Sequence, residues 1–173
     1  VVTYKRIVGP TYYSFNIGKV HYVSLDDIEC TNDGKGGRTY NTRIVDEQIA
    51  WLKKDLQFVN ANTPVVISMH APVYGNTGSG SLKNYNELIA AVGSRPCHFM
   101  TGHTHVMYNV EKTGHYEHNA GAICATWWWT GKETPGIHLS TDGTPGGYML
   151  FDVKGTDFKW VFIVTILAFI ISI

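Results

Sequence analysis

Apolar positions along this chain follow two periods. Between residues 45 and 59, Ile49, Leu52, Leu56 and Val59 recur every three or four positions, with Ile44 just ahead of them. Gln48, Lys53 and Lys54 take the opposite side, so the spacing predicts an amphipathic helix over 45–59. Residues 85–92 repeat the pattern with Leu88, Ile89 and Val92 inward, and Gly93 and Pro96 close it. Short apolar runs at 65–68 and 97–101 read as buried strands. Residues 12–17 and 20–25 are aromatic and β-branched and flank Gly18-Lys19, which predicts a hairpin ended by Asp26 and Asp27. Asn, Asp and Gly crowd 30–41, which predicts a loop, and 72–81 reads as a long Gly/Ser loop. Further strands are expected at 106–110, 116–118, 121–126, 148–153 and 158–160, with no internal repeat.

This order of elements divides the chain into one unit over 1–130 and, over 131–160, a Gly/Thr/Pro-rich linker with the start of a small β-rich domain. An apolar tail follows over 161–173. The tail runs thirteen residues without a charge, fewer than the roughly 20 that span a bilayer. A buried strand, a non-native read-through and a truncated membrane anchor all fit it, so membrane association stays open at this segment. The chain begins with Val and shows no signal-peptide pattern, and it is expected to start inside a larger protein.

Composition narrows the classes. In 173 residues, 44% are hydrophobic and 13% aromatic, which excludes a disordered chain. Lys plus Arg and Asp plus Glu are 14 each, so no basic field favours nucleic acid. Cys30, Cys97 and Cys124 form no C-x-x-C pair, which argues against a zinc ribbon or a redox dithiol and leaves the compartment unread.

Eight histidines change the picture. His70 follows the 65–68 strand, and Gly102-His103-Thr104-His105 follows the 97–101 strand. Open α/β sheets bind ligands at the carboxyl ends of their strands. In an extended segment His103 and His105 would point to one side. With His70 they would place three imidazoles on one or two divalent ions, and imidazole suits Zn, Fe and Mn. Three unrelated loop-end histidines are the other reading. His21 and His98 read as structural, His115 and His118 as surface strand positions, and His138 as solvated. Tyr74 and Asn76, among Gly75, Gly78 and Gly80, are candidates for a rim that touches substrate. Trp127, with Trp128 and Trp129, is either inter-domain core or a platform at the site mouth.

The ordered pair of an isolated His70 in VVISMHAPVY and the later FMTGHTH resembles the last two of five motifs in the calcineurin-like metallophosphoesterase superfamily. GPTYYSFNIGKVHYVSLDD and DEQIAWLKKDL resemble the hairpin and helix that precede the isolated histidine there. The resemblance covers about residues 9–130, and GAICATWWWTGKETPG and STDGTPGGYMLFDV resemble bacterial members with an appended C-terminal domain. It implies an α/β fold, a metallo-dependent phosphatase-like two-sheet β-sandwich flanked by helices, present as its C-terminal part. It implies hydrolysis of phosphate mono- or diesters by a metal-activated hydroxide at a dinuclear centre of Mn, Fe or Zn, with a small phosphate ester as the substrate. Carried over by motif, His70 and His103 would bind one ion and His105 the other. The first three motifs (D-x-H, G-D-x-x-D and G-N-H) do not occur in the chain, and with them go the carboxylate ligands and the general-acid histidine. No catalytic residue is therefore assigned, and this chain alone is expected to be inactive. The competing function is a non-catalytic fragment or interaction module with a single structural metal or none.

Overall fold

The computed structural model describes residues 2–32, 34–75, 80–122, 139–140 and 142–164. A short helix, α1 (Val2–Ile7), leads into the hairpin β1 (Tyr13–Ile17) and β2 (Val20–Ser24), followed by a second hairpin, β3 (Ile28–Asn32) and β4 (Arg38–Thr42). Helix α2 (Asp46–Leu56), β5 (Val65–Ser68), α3 (Tyr85–Val92) and β6 (Cys97–Thr101) come next. The chain then forms β7 (Tyr108–Lys112), β8 (His115–Asn119), β9 (Gly147–Lys154) and β10 (Asp157–Val164). The main sheet has six strands in the order β1-β2-β5-β6-β8-β7. Its four inner strands are parallel, and the edge strands β1 and β7 run antiparallel to their neighbours.

The side-chain period of two decides what each face of this sheet holds. Val23, Val65, Ile67, Cys97 and Phe99 point to one face, where α2 and α3 cover them with Ile49, Leu52, Leu56, Leu88 and Val92. Helix α2 carries Asp46 and Glu47 in its first turn and Lys53 and Lys54 in its last, each sign placed against the opposite end of the helix dipole. Buried Asn84 exchanges two hydrogen bonds with the Ile44 backbone: its Oδ1 accepts from Ile44 N–H at 3.1 Å and its Nδ2 donates to Ile44 O at 2.8 Å. This pins the entry to α2 against the start of α3. Cys97 is wholly buried, and burial pushes its thiol pKa far up, so it acts as a small core residue. Cys30 is a free, exposed thiol on β3.

On the opposite face, His98 on β6 and Tyr116 and His118 on β8 lie beneath the β9–β10 hairpin. Phe158 stacks on His98 at 3.8 Å between centroids. Trp160 and Phe151 meet His118 edge-on at 4.7 and 5.1 Å. The charged residues of this hairpin pair with each other instead, Lys154 with Asp152 and Lys159 with Asp157.

Several expectations need correction. Residues 30–32 and 38–41 belong to paired strands rather than a loop: β3 and β4 pair from Ile28↔Thr42 to Asn32↔Arg38. His115 and His118 are 5% and 4% exposed, because Tyr74 and Gly93 close over one and the C-terminal hairpin over the other. The first four residues of the apolar tail, 161–164, complete β10 opposite 147–150. Helix α2 is shorter than 45–59, although Val59 still packs on the core. Gly121 and Ala122 are not in a strand, and 123–126 lie outside the described residues, as do 165–173. Among the described residues no helix is long and apolar enough to cross a membrane.

The structural role read for His21 is borne out. Its two ring nitrogens contact Asn16 Oδ1 at 2.9 Å and Asp55 Oδ2 at 2.8 Å, while Ser14 Oγ donates to Asp55 Oδ1 at 2.8 Å. One carboxylate on α2 thus ties both strands of the first hairpin. Asp55→Ala is expected to cost about 1–3 kcal/mol, measured as a lower denaturant midpoint, because it leaves a buried ring nitrogen unpaired.

His98 also proves structural, and it sets a pH limit on the fold. His98 Nδ1 lies 3.0 Å from His118 Nε2, and His118 Nδ1 lies 2.7 Å from Asn109 Oδ1. With Asn109 as acceptor, His118 donates from Nδ1 and accepts from His98. Burial pushes both pKa values down to about 4 from the ordinary 6.5, and mutual proximity adds to the fall for His98. The unfolded chain therefore binds more protons than the folded one between these limits. Stability is expected to be full above pH 6.5 and to fall steadily toward pH 4. A denaturant midpoint measured from pH 7.5 to 4.5 should decline less steeply in His118→Gln, and an unchanged decline would refute this.

Candidate functional site

The parallel pairing of β5 with β6 continues past the ends of both strands. Met69 N–H donates to Met100 O at 3.1 Å, and Gly102 N–H donates to His70 O at 2.9 Å. The two loops that follow therefore start side by side. As a result His70 Nε2 and His103 Nδ1 lie 2.8 Å apart, with ring centroids at 4.7 Å.

The backbone around these residues departs from the extended segment expected for 103–105. Thr104 N–H donates to Gly102 O at 2.7 Å and closes a three-residue turn around His103. His103 and His105 take φ values of 67° and 60°, the only non-glycine positive values among the described residues. That left-handed backbone costs energy for a residue with a Cβ, and such strain concentrates at functional sites. Alternation along an extended run therefore does not govern where these two rings point. The half-buried His105 offers its carbonyl to Ser140 Oγ at 2.8 Å. Among the described residues no three His, Cys, Asp or Glu side chains gather as a metal-ready group. The structure brings the His70 and His103 rings into contact, and His105 stands near enough to His103 to lower its pKa slightly.

Two buried carboxylates hold the loop that carries His70, and the sequence reading assigned a site role to neither. Asp27, just beyond β2, accepts His70 N–H through Oδ1 at 2.9 Å and Ala71 N–H through Oδ2 at 2.5 Å. Burial raises its pKa above the ordinary carboxylate value, and these N–H bonds oppose the rise. Glu117, fully buried on β8, accepts three consecutive backbone N–H groups: Val73 at 2.5 Å, Tyr74 at 2.8 Å and Gly75 at 2.7 Å. It also accepts from Thr101 Oγ1 at 3.0 Å. The available signal was a lone acid between histidines in an otherwise buried strand, His115 to Asn119. A buried acid needs donors, but the pattern could not say which.

Tyr74, a rim candidate, turns inward. Its ring packs on Phe99 at 5.9 Å, its hydroxyl bonds His115 Nδ1 at 2.7 Å, and burial pushes its pKa up to about 12. Asn76 and Trp127 lie outside the described residues, as do Cys124 and His138. An aromatic ring absent from the sequence reading stands beside the pair instead: Tyr40 on β4 meets His103 edge-on at 6.4 Å. The β3–β4 hairpin, expected as a loop, is what carries it there. An open cleft of about 550 Å³ adjoins His70, with Tyr4, Ser24, Asp26, Asp27 and Met69 along it. The larger cavity of about 920 Å³ lies at the opposite ends of the strands, between Lys19, Phe58 and Lys154. It holds none of the histidines.

Burial lowers the pKa of His103, and the nearby His70 lowers it further. A neutral imidazole can offer a nitrogen lone pair to a cation, and the lowered pKa favours that form.

Gly75 is needed where it stands. A Cβ there would sit 1.9 Å from Cε2 of the Tyr108 ring. Gly75→Ala is expected to displace Tyr108 or the loop and to cost about 1–3 kcal/mol by overpacking, read by thermal unfolding. Faster amide exchange at 73–75 should accompany the loss.

A family model described as the C terminal of calcineurin-like phosphoesterase matches residues 117–167. No curated protein matches the chain. The match starts at Glu117, takes in the rest of β8 and runs through the β9–β10 hairpin that covers the second face of the sheet. Over residues 117–167 the chain is similar to the C-terminal region of calcineurin-like phosphoesterases.

Proposed function

We propose that this chain supplies imidazole ligands to a metal-dependent phosphoesterase that hydrolyses phosphate mono- or diesters at a dinuclear centre. The observation that carries the reading is the 2.8 Å approach of His70 and His103 at the ends of adjacent parallel strands. The family match supports the same reaction class. His70 and His103 would hold one divalent ion, Mn, Fe or Zn, and His105 would serve a second. Two converging imidazoles fit half of a four-coordinate shell. With no group of three among the described residues, they form a partial ligand set. Bound metals would offset charge on the attacking and leaving oxygens of the phosphate.

The chain's own residues do the rest of what is visible. Asp27 fixes the His70 backbone from below. Local burial lowers the pKa of His103 and so favours its neutral form. The cleft beside His70 is open enough to admit a small phosphate ester. The second reading is an interaction module with a single structural metal or none.

A cobalt(II) titration of the folded chain separates the two. Uptake is expected, and His70→Ala and His103→Ala should each weaken it by roughly tenfold or more. Absence of uptake, or uptake indifferent to both substitutions, overturns the ligand assignment. With manganese added, the chain alone should not turn over p-nitrophenyl phosphate or its bis-ester. Turnover that disappears in His105→Ala would show that the chain is active by itself.

A further inference from the structure

Glu117 belongs to neither histidine loop, yet its carboxylate touches the first loop and the end of the strand that leads into the second. Oε1 accepts from Val73 N–H, on the loop that begins at His70. The same oxygen accepts from Thr101 Oγ1, on the last residue of β6, two positions before His103. Oε2 accepts from Tyr74 and Gly75 N–H. Asp27 secures the near end of the first loop at His70 and Ala71. Pro72, with its fixed φ, lies between the two clamps.

We infer that Glu117 is a positioning residue that sets the His70 ring against the His103 ring by tying residues 73–75 to the end of β6. The inference rests on the metal-ligand reading for its use, but its geometry stands without a metal. The charge and the loop depend on each other. A buried carboxylate is tolerated only with donors around it, and three consecutive amides would be left without a partner if it were removed. A neutral isostere does not substitute, because one amide group of a glutamine would face N–H donors with its own donor. Glu117 would touch neither metal nor substrate, and it would act through the loop.

The test uses the full chain without metal. Imidazole ¹⁵N–¹H correlation spectra of Glu117→Gln should show the His70 and His103 signals shifted or broadened, while His21, held by Asn16 and Asp55, stays in place. Glu117→Asp, which keeps the charge but has a shorter reach, should move the same signals less, and it decides the matter if the glutamine variant does not fold. Signals of His70 and His103 that coincide with those of the wild type in a folded variant overturn the inference. Cobalt(II) affinity should fall on the order of tenfold in Glu117→Gln, and an unchanged affinity likewise overturns it. If the wild type takes up no cobalt, the metal reading falls, and the imidazole signals still decide whether Glu117 positions the pair.

Discussion

The local geometry of His70 and His103 depends on one constraint, the parallel pairing of β5 with β6 and its continuation past the strand ends. Parallel neighbours finish at the same edge of a sheet, so their following loops leave together. The two backbone bonds beyond the strands, from Met69 to Met100 and from Gly102 to His70, carry that alignment to the histidines. Residues 33 positions apart in sequence thereby come within hydrogen-bonding distance. Helices α2 and α3 matter here because they hold the inner strands in register through the apolar face they cover.

The second constraint is the satisfaction of buried charge and polarity. Asp27, Glu117, His21, His98, His115 and His118 are all buried, an unusual load for a sheet this small. Each side chain finds partners, and almost every partner lies on a different element. Asp55 joins α2 to β1 and β2, Glu117 joins β8 to the loop after His70 and to the end of β6, and His118 joins β8 to β6 and β7. Such bonds contribute little net stability when made and cost much when one partner is lost. They act mainly to specify one arrangement of the loops. Apolar packing alone would leave those loops free to shift.

The C-terminal hairpin shows how a stretch that is apolar in sequence acquires a place. Its inward residues Phe151, Phe158 and Trp160 meet a polar, aromatic face made of His98, Tyr116 and His118. Ring stacking on neutral imidazoles lets this face be both histidine-rich and buried. The family match spans the same hairpin and the last three residues of β8 beneath it.

Much of this was legible in the chain by itself. Local periodicity was enough for α3, β5 and β6 and for most of α2, because a buried strand or an amphipathic helix writes its own spacing. The placement of His70 and the 102–105 segment at strand ends was legible for the same reason. The β3–β4 hairpin was hidden by turn-forming residues that fit a loop equally well, and with it the approach of Tyr40 to His103. Burial of His115 and His118, the inward turn of Tyr74 and the roles of Asp27 and Glu117 were decided only in three dimensions. Polar side chains carry no period that reveals their partners. Whether such a group is surface or core depends on which distant amide, ring or strand packs against it, and only the assembled sheet determines that.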